Sequence, residues 1–96
     1  MSPINKKKLA LIRIKLDKLD NELLKLIKKR SNLVNKVLKI KLHKKEIIDQ
    51  KRINYILKKI KNKSIQSNID PKITNRIWKN MIWAFIDYEK RNFKKK

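Results

Sequence analysis

The 96-residue chain contains no cysteine, no glycine, two prolines and a single histidine. The absence of cysteine excludes disulfides and thiolate metal sites. His43 has no second histidine near it for a metal-ligand pair, the lack of cysteine removes any Cys/His arrangement, and the sequence shows no Ser/His/Asp arrangement around it. The spacing puts His43 at the surface, at a helix end. So little glycine and proline leaves few turn signals, and the apolar residues, 41% of the composition, recur at helical spacing. An all-α chain is expected. No apolar run reaches the roughly 20 residues that would span a bilayer. The run around Lys6 to Leu16 is interrupted by Arg13, Lys15 and Asp17, and no small-residue cleavage site follows it. The chain therefore reads as cytoplasmic. Acidic residues are also scarce, eight against 29 lysines and arginines, for a formal charge of +21.

That charge admits a nucleic-acid partner, an anionic substrate, or codon drift in an acid-poor chain. Its distribution is more informative. Lysines are scattered through the sequence and crowd its ends, at Lys6 to Lys8 and Lys94 to Lys96. No zinc-finger spacing, RNA-binding aromatic motif or helix-turn-helix accompanies them. Non-specific nucleic-acid binding at low salt is expected, and a basic helical dimer that binds nucleic acid stands as the alternative from a different class. The balance within the cations is uneven: 24 are lysine and five arginine. Guanidinium is a planar fork that grips a carboxylate or phosphate through two parallel hydrogen bonds, whereas ammonium is a flexible point charge. Three arginines, Arg13, Arg30 and Arg52, stand where a solvated helix face does not explain them.

Ninety-six residues make one domain, 1–96, burying about 60 to 65% of its unfolded surface, so its core is small unless a second chain contributes. From about residue 6 to 43, Leu9, Ile12, Leu16, Leu19, Leu23, Leu26, Leu33, Val37 and Ile40 follow alternating steps of three and four. This heptad stripe predicts one helix of about 38 residues, on the order of 57 Å long. The rest of the chain is too short to cover it, so a homodimer is expected. Residues 42–48 read as a linker, and Asp49 as the N-cap of a second helix, about 49–62, burying Ile53, Ile56, Leu57 and Ile60. Residues 62–69, rich in Asn and Ser, read as a loop. Asp70-Pro71 opens a third helix, about 70–91, with Ile73, Ile77, Trp78, Met81, Ile82 and Phe85 inward.

Several residues break these patterns. Arg30 occupies a stripe position that calls for an apolar side chain, either as a residue that snorkels out or fixes dimer register, or as an anion ligand. Lys41 follows eleven residues later, which on a continuous helix returns to within about 20° of the same direction. Arg13 falls on another side, where it does not readily serve the same pocket in its own chain but could serve a partner's. Arg52 lies one turn after Asp49, at the edge of its helix's apolar stripe. Glu89 continues the spacing of Trp78, Ile82 and Phe85, so a carboxylate enters an apolar face in a chain with three glutamates. It reads either as an internal salt bridge or as an acid facing the cations. Arg30, Lys41, Arg52 and a donated Arg13, opposite Glu89, would suit a small dianion and a reaction driven by shape and charge placement. No nucleophile, metal or cofactor is implied.

In order along the chain, Arg13, Leu16-Asp17, Leu19-Asp20, Leu23-Leu24, Arg30, Lys41, Asp49, Arg52, Asp70-Pro71, Ile77-Trp78 and Phe85 to Glu89 resemble the all-helical class of chorismate mutase, over roughly residues 9 to 89. The resemblance implies an interlaced homodimer of three-helix chains, with each site lined by one protomer and an arginine of the other. Arg13 matches the donated arginine, and Arg30 and Arg52 those that hold substrate carboxylates. Lys41 matches the donor to the ether oxygen and a carboxylate, Asp49 a contact to the hydroxyl, and Glu89 the Gln or Glu beside the ether oxygen. Arg30, Lys41 and Glu89 would carry catalysis. The implied reaction turns chorismate into prephenate, in aromatic amino-acid biosynthesis, without a covalent intermediate. Two positions depart from the family: Ile53 stands where many members have a Glu for the substrate hydroxyl, and Phe85 where Ser is frequent near the ring carboxylate. An apolar residue after Arg52 also occurs in the related isochorismate-pyruvate lyases, which commonly carry Gln at the position of Glu89; Glu89 points to the mutase.

Overall fold

A computed structural model describes residues 1–95; Lys96, one of the terminal lysines noted above, lies outside the described residues. Three helices follow in order, α1 (Pro3–Ile40), α2 (Gln50–Gln66) and α3 (Pro71–Asn92), with a single 3-10 turn at Lys44–Glu46 between α1 and α2. The described residues include no strand. No described helix is long and apolar enough to cross a membrane. The chain divides into two compact units, residues 1–33 and the segment from Val34 onward.

The first unit is the N-terminal part of α1. It begins three residues earlier than the heptads suggest, because Ser2 Oγ accepts from the Asn5 amide at 3.1 Å and Pro3 occupies the first helical position. Serine followed by proline is the same start signal as Asp70-Pro71. The apolar stripe remains open to solvent in the single chain: Leu19 is 60% exposed, Leu23 53% and Leu26 59%.

The second unit holds the core. Leu38, Ile47, Ile53, Ile82 and Ile86 are buried together, with Ile56, Leu57 and Phe93 packed against them. Asp49 opens α2, its Oδ1 accepting from the Arg52 amide at 3.0 Å. Asp70 opens α3, its carboxylate accepting from Lys72 N–H at 2.9 Å, with Pro71 at the first helical position. Each cap satisfies an amide that has no partner within its helix and is worth about 1 kcal/mol.

The structure corrects four expectations. Helix α2 runs on to Gln66, through five of the eight residues, 62–69, expected to be loop. Ser64 there is not a solvated turn residue: its Oγ donates to the Ile60 carbonyl at 2.6 Å and shares a hydrogen bond of 2.7 Å with Thr74 Oγ1. The helix then closes with Ile69 N–H on the Ser64 carbonyl and Asn68 N–H on that of Ile65, while Asn68 takes a left-handed φ of 57°. In a chain without glycine, asparagine fills the position that ends a helix this way. On α3, the buried residues are Thr74, Ile82, Ile86 and Glu89, whereas Ile73 and Ile77 are 55% and 52% exposed. The Ser64–Thr74 bond goes with a rotation of α3 that turns Thr74 inward and its neighbour Ile73 outward. At the end of α1, Leu38 is buried while the stripe residues Val37 and Ile40 are exposed. Finally, α1 ends at Ile40, three residues before the expected His43, so Lys41 lies beyond the helix and the eleven-step rotation linking it to Arg30 does not apply.

Candidate functional site

Lys41 is placed by the end of α1. Its amide closes a tight turn on the Leu38 carbonyl at 3.3 Å, and Leu38 is anchored in the core. Glu89 is placed by the buried stripe of α3, one turn after Ile86 and two after Ile82. At 5% exposure it is the one buried acidic residue among those described. The two side chains meet, with Lys41 Nζ at 3.3 Å from Glu89 Oε1 and 3.4 Å from Oε2. Taking two charges out of water is costly, so a contact of this kind contributes little net stability, while removing one partner strands a buried charge. Of the two expectations for Glu89, the contact observed is an internal salt bridge, and its partner is one of the expected site cations.

Lys41 also lines an open pocket of about 480 Å³ with Glu46, Ile48, Asp49, Gln50 and Lys51. That volume is in the range of small-molecule sites. Its charge is mixed, two lysines with two acids, and of the expected site residues it holds Lys41 and Asp49. Glu46 is engaged by the His43 amide at 3.2 Å, and Asp49 uses Oδ1 for its cap. Exposed His43 thus stands at the start of the 3-10 turn that carries Glu46 to the pocket.

The exposed Arg52 puts its guanidinium 5.2 Å from the centroid of the Tyr55 ring, and Lys59 approaches the same ring at 5.6 Å. Tyr55 was not anticipated as part of this cationic face; its position three residues after Arg52 and four before Lys59 is the signal that places it there. Phe85 is half-buried on α3. Ile53, at the position where a hydroxyl-binding Glu is common, is 6% exposed and belongs to the core. In the first unit, Arg13 is exposed and Arg30 half-buried. A second hollow, of about 560 Å³, runs between side chains of α1 alone, from Lys15 to Lys25, and includes none of the expected site residues. No cluster of His, Asp or Glu suited to a metal ion occurs among the described residues.

The model of the chorismate mutase type II family matches residues 12–90, well over half of the chain. The chain belongs to that family. Chorismate mutases of this type are all-helical isomerases, and the match favours chorismate rearrangement over the isochorismate-pyruvate lyase alternative. No curated protein and no solved structure matches the chain.

Proposed function

We propose that the protein rearranges chorismate to prephenate with Lys41 and Glu89 on either side of the breaking ether bond. The contact of Lys41 Nζ with the Glu89 carboxylate carries this assignment, because it brings together at a shielded point the two groups the reaction needs there. As the carbon–oxygen bond breaks, negative charge grows on the ether oxygen. An ammonium fixed beside that oxygen is worth more in the transition state than in the ground state, which is the condition for catalysis. When it carries a proton, the Glu89 carboxyl donates a second hydrogen bond to the same oxygen. Arg30 and Arg52 hold the two substrate carboxylates and so select the folded, chair-like conformer. Phe85 packs against the ring, and Asp49, whose Oδ1 is already committed to its cap, receives the substrate hydroxyl on its second oxygen. With Ile53 in the core, no carboxylate supports the hydroxyl from that side.

The working form is a homodimer in which α1 stripes cover one another and Arg13 reaches the partner's site. The open stripe on the first unit supports this, since a contiguous apolar face of that length is uncommon on a monomer. The setting is the cytoplasm and the pathway aromatic amino-acid synthesis. The charge of +21 draws the dianion inward, so substrate association slows with added salt, and nucleic-acid binding is only of the non-specific kind that salt abolishes.

The pH profile tests the role of Glu89. A carboxyl must carry its proton to donate to an ether oxygen, so a donor role for Glu89 makes turnover depend on its protonation. Glu89→Gln, whose amide donates at any pH, should give a flat profile. An unchanged profile in Glu89→Gln would remove Glu89 from this role.

A further inference from the structure

The Tyr88 hydroxyl donates to Asn35 Oδ1 at 2.8 Å, and both side chains are half-buried. Tyr88 immediately precedes Glu89 on α3, and Asn35 stands six residues before Lys41. The hydrogen bond therefore spans the same two chain segments as the Lys41–Glu89 contact. Lys41 lies just past the end of α1, so the position of its ammonium depends on how the last turns of that helix sit on α3.

Contacts that tie those turns down in the free protein include Leu38 in the core, the Lys41–Glu89 pair and the Asn35–Tyr88 bond. They are not equivalent. Packing of Leu38 is non-directional and tolerates small slides and rotations. Lys41 and Glu89 cannot hold their own position during the reaction, because both turn to the ligand. A hydrogen bond of 2.8 Å has strict distance and angle requirements, and its partners are not consumed by substrate.

We infer that Asn35 and Tyr88 are positioning residues, whose hydrogen bond fixes the register of the end of α1 on α3 and holds the Lys41 ammonium opposite Glu89 while both engage substrate. The inference rests on the proposed function and adds two residues that touch neither substrate nor the reacting atoms. Their effect is on placement, where a shift of about 1 Å can cost about a hundredfold in rate.

The test compares Tyr88→Phe, Asn35→Leu and the double variant, measuring kcat, KM and thermal midpoint on folded protein. Tyr88→Phe keeps the ring and loses the hydroxyl, and at a half-buried site water can satisfy the Asn35 amide that remains. Each single variant should lower kcat about ten- to a hundredfold with KM within about twofold, and the double variant should be no slower than the worse single. A merely structural bond would lower the thermal midpoint and leave kcat of the folded protein within twofold, which overturns the inference. Effects that multiply in the double variant overturn it as well, since they show the two residues acting apart. Wild-type protein is assayed alongside: its turnover with unaffected variants sinks only the positioning role, while its failure to turn over sinks the proposed function and this role with it.

Discussion

Lys41→Ala should lower kcat/KM for chorismate about a thousandfold and destabilise the fold at the same time. On the proposed function, the kinetic loss follows from removing the cation beside the oxygen on which charge develops, an effect of about 10²- to 10³-fold for a single fixed donor, together with its hold on a substrate carboxylate. The stability loss has a different origin. The Glu89 side chain is 7% exposed and that of Lys41 16%, and without the ammonium the carboxylate is left shielded from water. Stranding one member of a buried pair costs about 3–5 kcal/mol, and the lower end applies here because Lys41 keeps some contact with solvent. The two effects separate in the double variant Lys41→Ala/Glu89→Gln. The neutral amide should restore most of the stability, read by denaturant unfolding, and none of the lost turnover. A folded Lys41→Ala protein with near-normal kcat/KM would remove Lys41 from the site.

Mixing two nearly inactive variants should restore activity. If Arg13 serves the partner's site while Lys41 serves its own, Arg13→Ala and Lys41→Ala each disable both sites of a homodimer. A mixed dimer, however, has one site free of either change and one site that carries both. Random pairing at equal amounts puts half of the dimers in the mixed class, so roughly a quarter of wild-type activity returns after joint refolding. No recovery, with mixed dimers shown to form, would mean that Arg13 acts within its own chain or not at all. The position of Arg13 on α1, exposed and beside the 54%-exposed Ile12 and 52%-exposed Leu16, is what makes donation across an interface physically reasonable.

Helix identity was legible in the sequence wherever a cap carries its own chemistry. Asp49, and Asp70 with Pro71, fix the starts of α2 and α3 through side-chain bonds that local spacing reveals. The end of α2 was not legible, because Ser64 looks like a loop residue until Thr74, ten positions on, gives its hydroxyl a buried partner. Rotation of a helix about its axis was equally hidden. Apolar spacing alone does not distinguish Ile73 and Ile77 from Ile86 on α3, or Val37 from Leu38 on α1; the choice is made by contacts between segments distant in sequence. At the site, Glu89 stood out as a carboxylate within an apolar stripe, and its meeting with Lys41 was a reasonable outcome of that conflict. The Asn35–Tyr88 bond left no such trace, since neither residue violates the pattern around it and their separation of 53 positions gives no local signal.

The most direct test of the central claim is to incubate the purified protein with chorismate and, separately, with isochorismate, and to follow the products by chromatography. Prephenate from chorismate, with isochorismate left largely intact, is the expected result. Pyruvate and salicylate from isochorismate with little prephenate, or no turnover of either compound by folded protein, would contradict it.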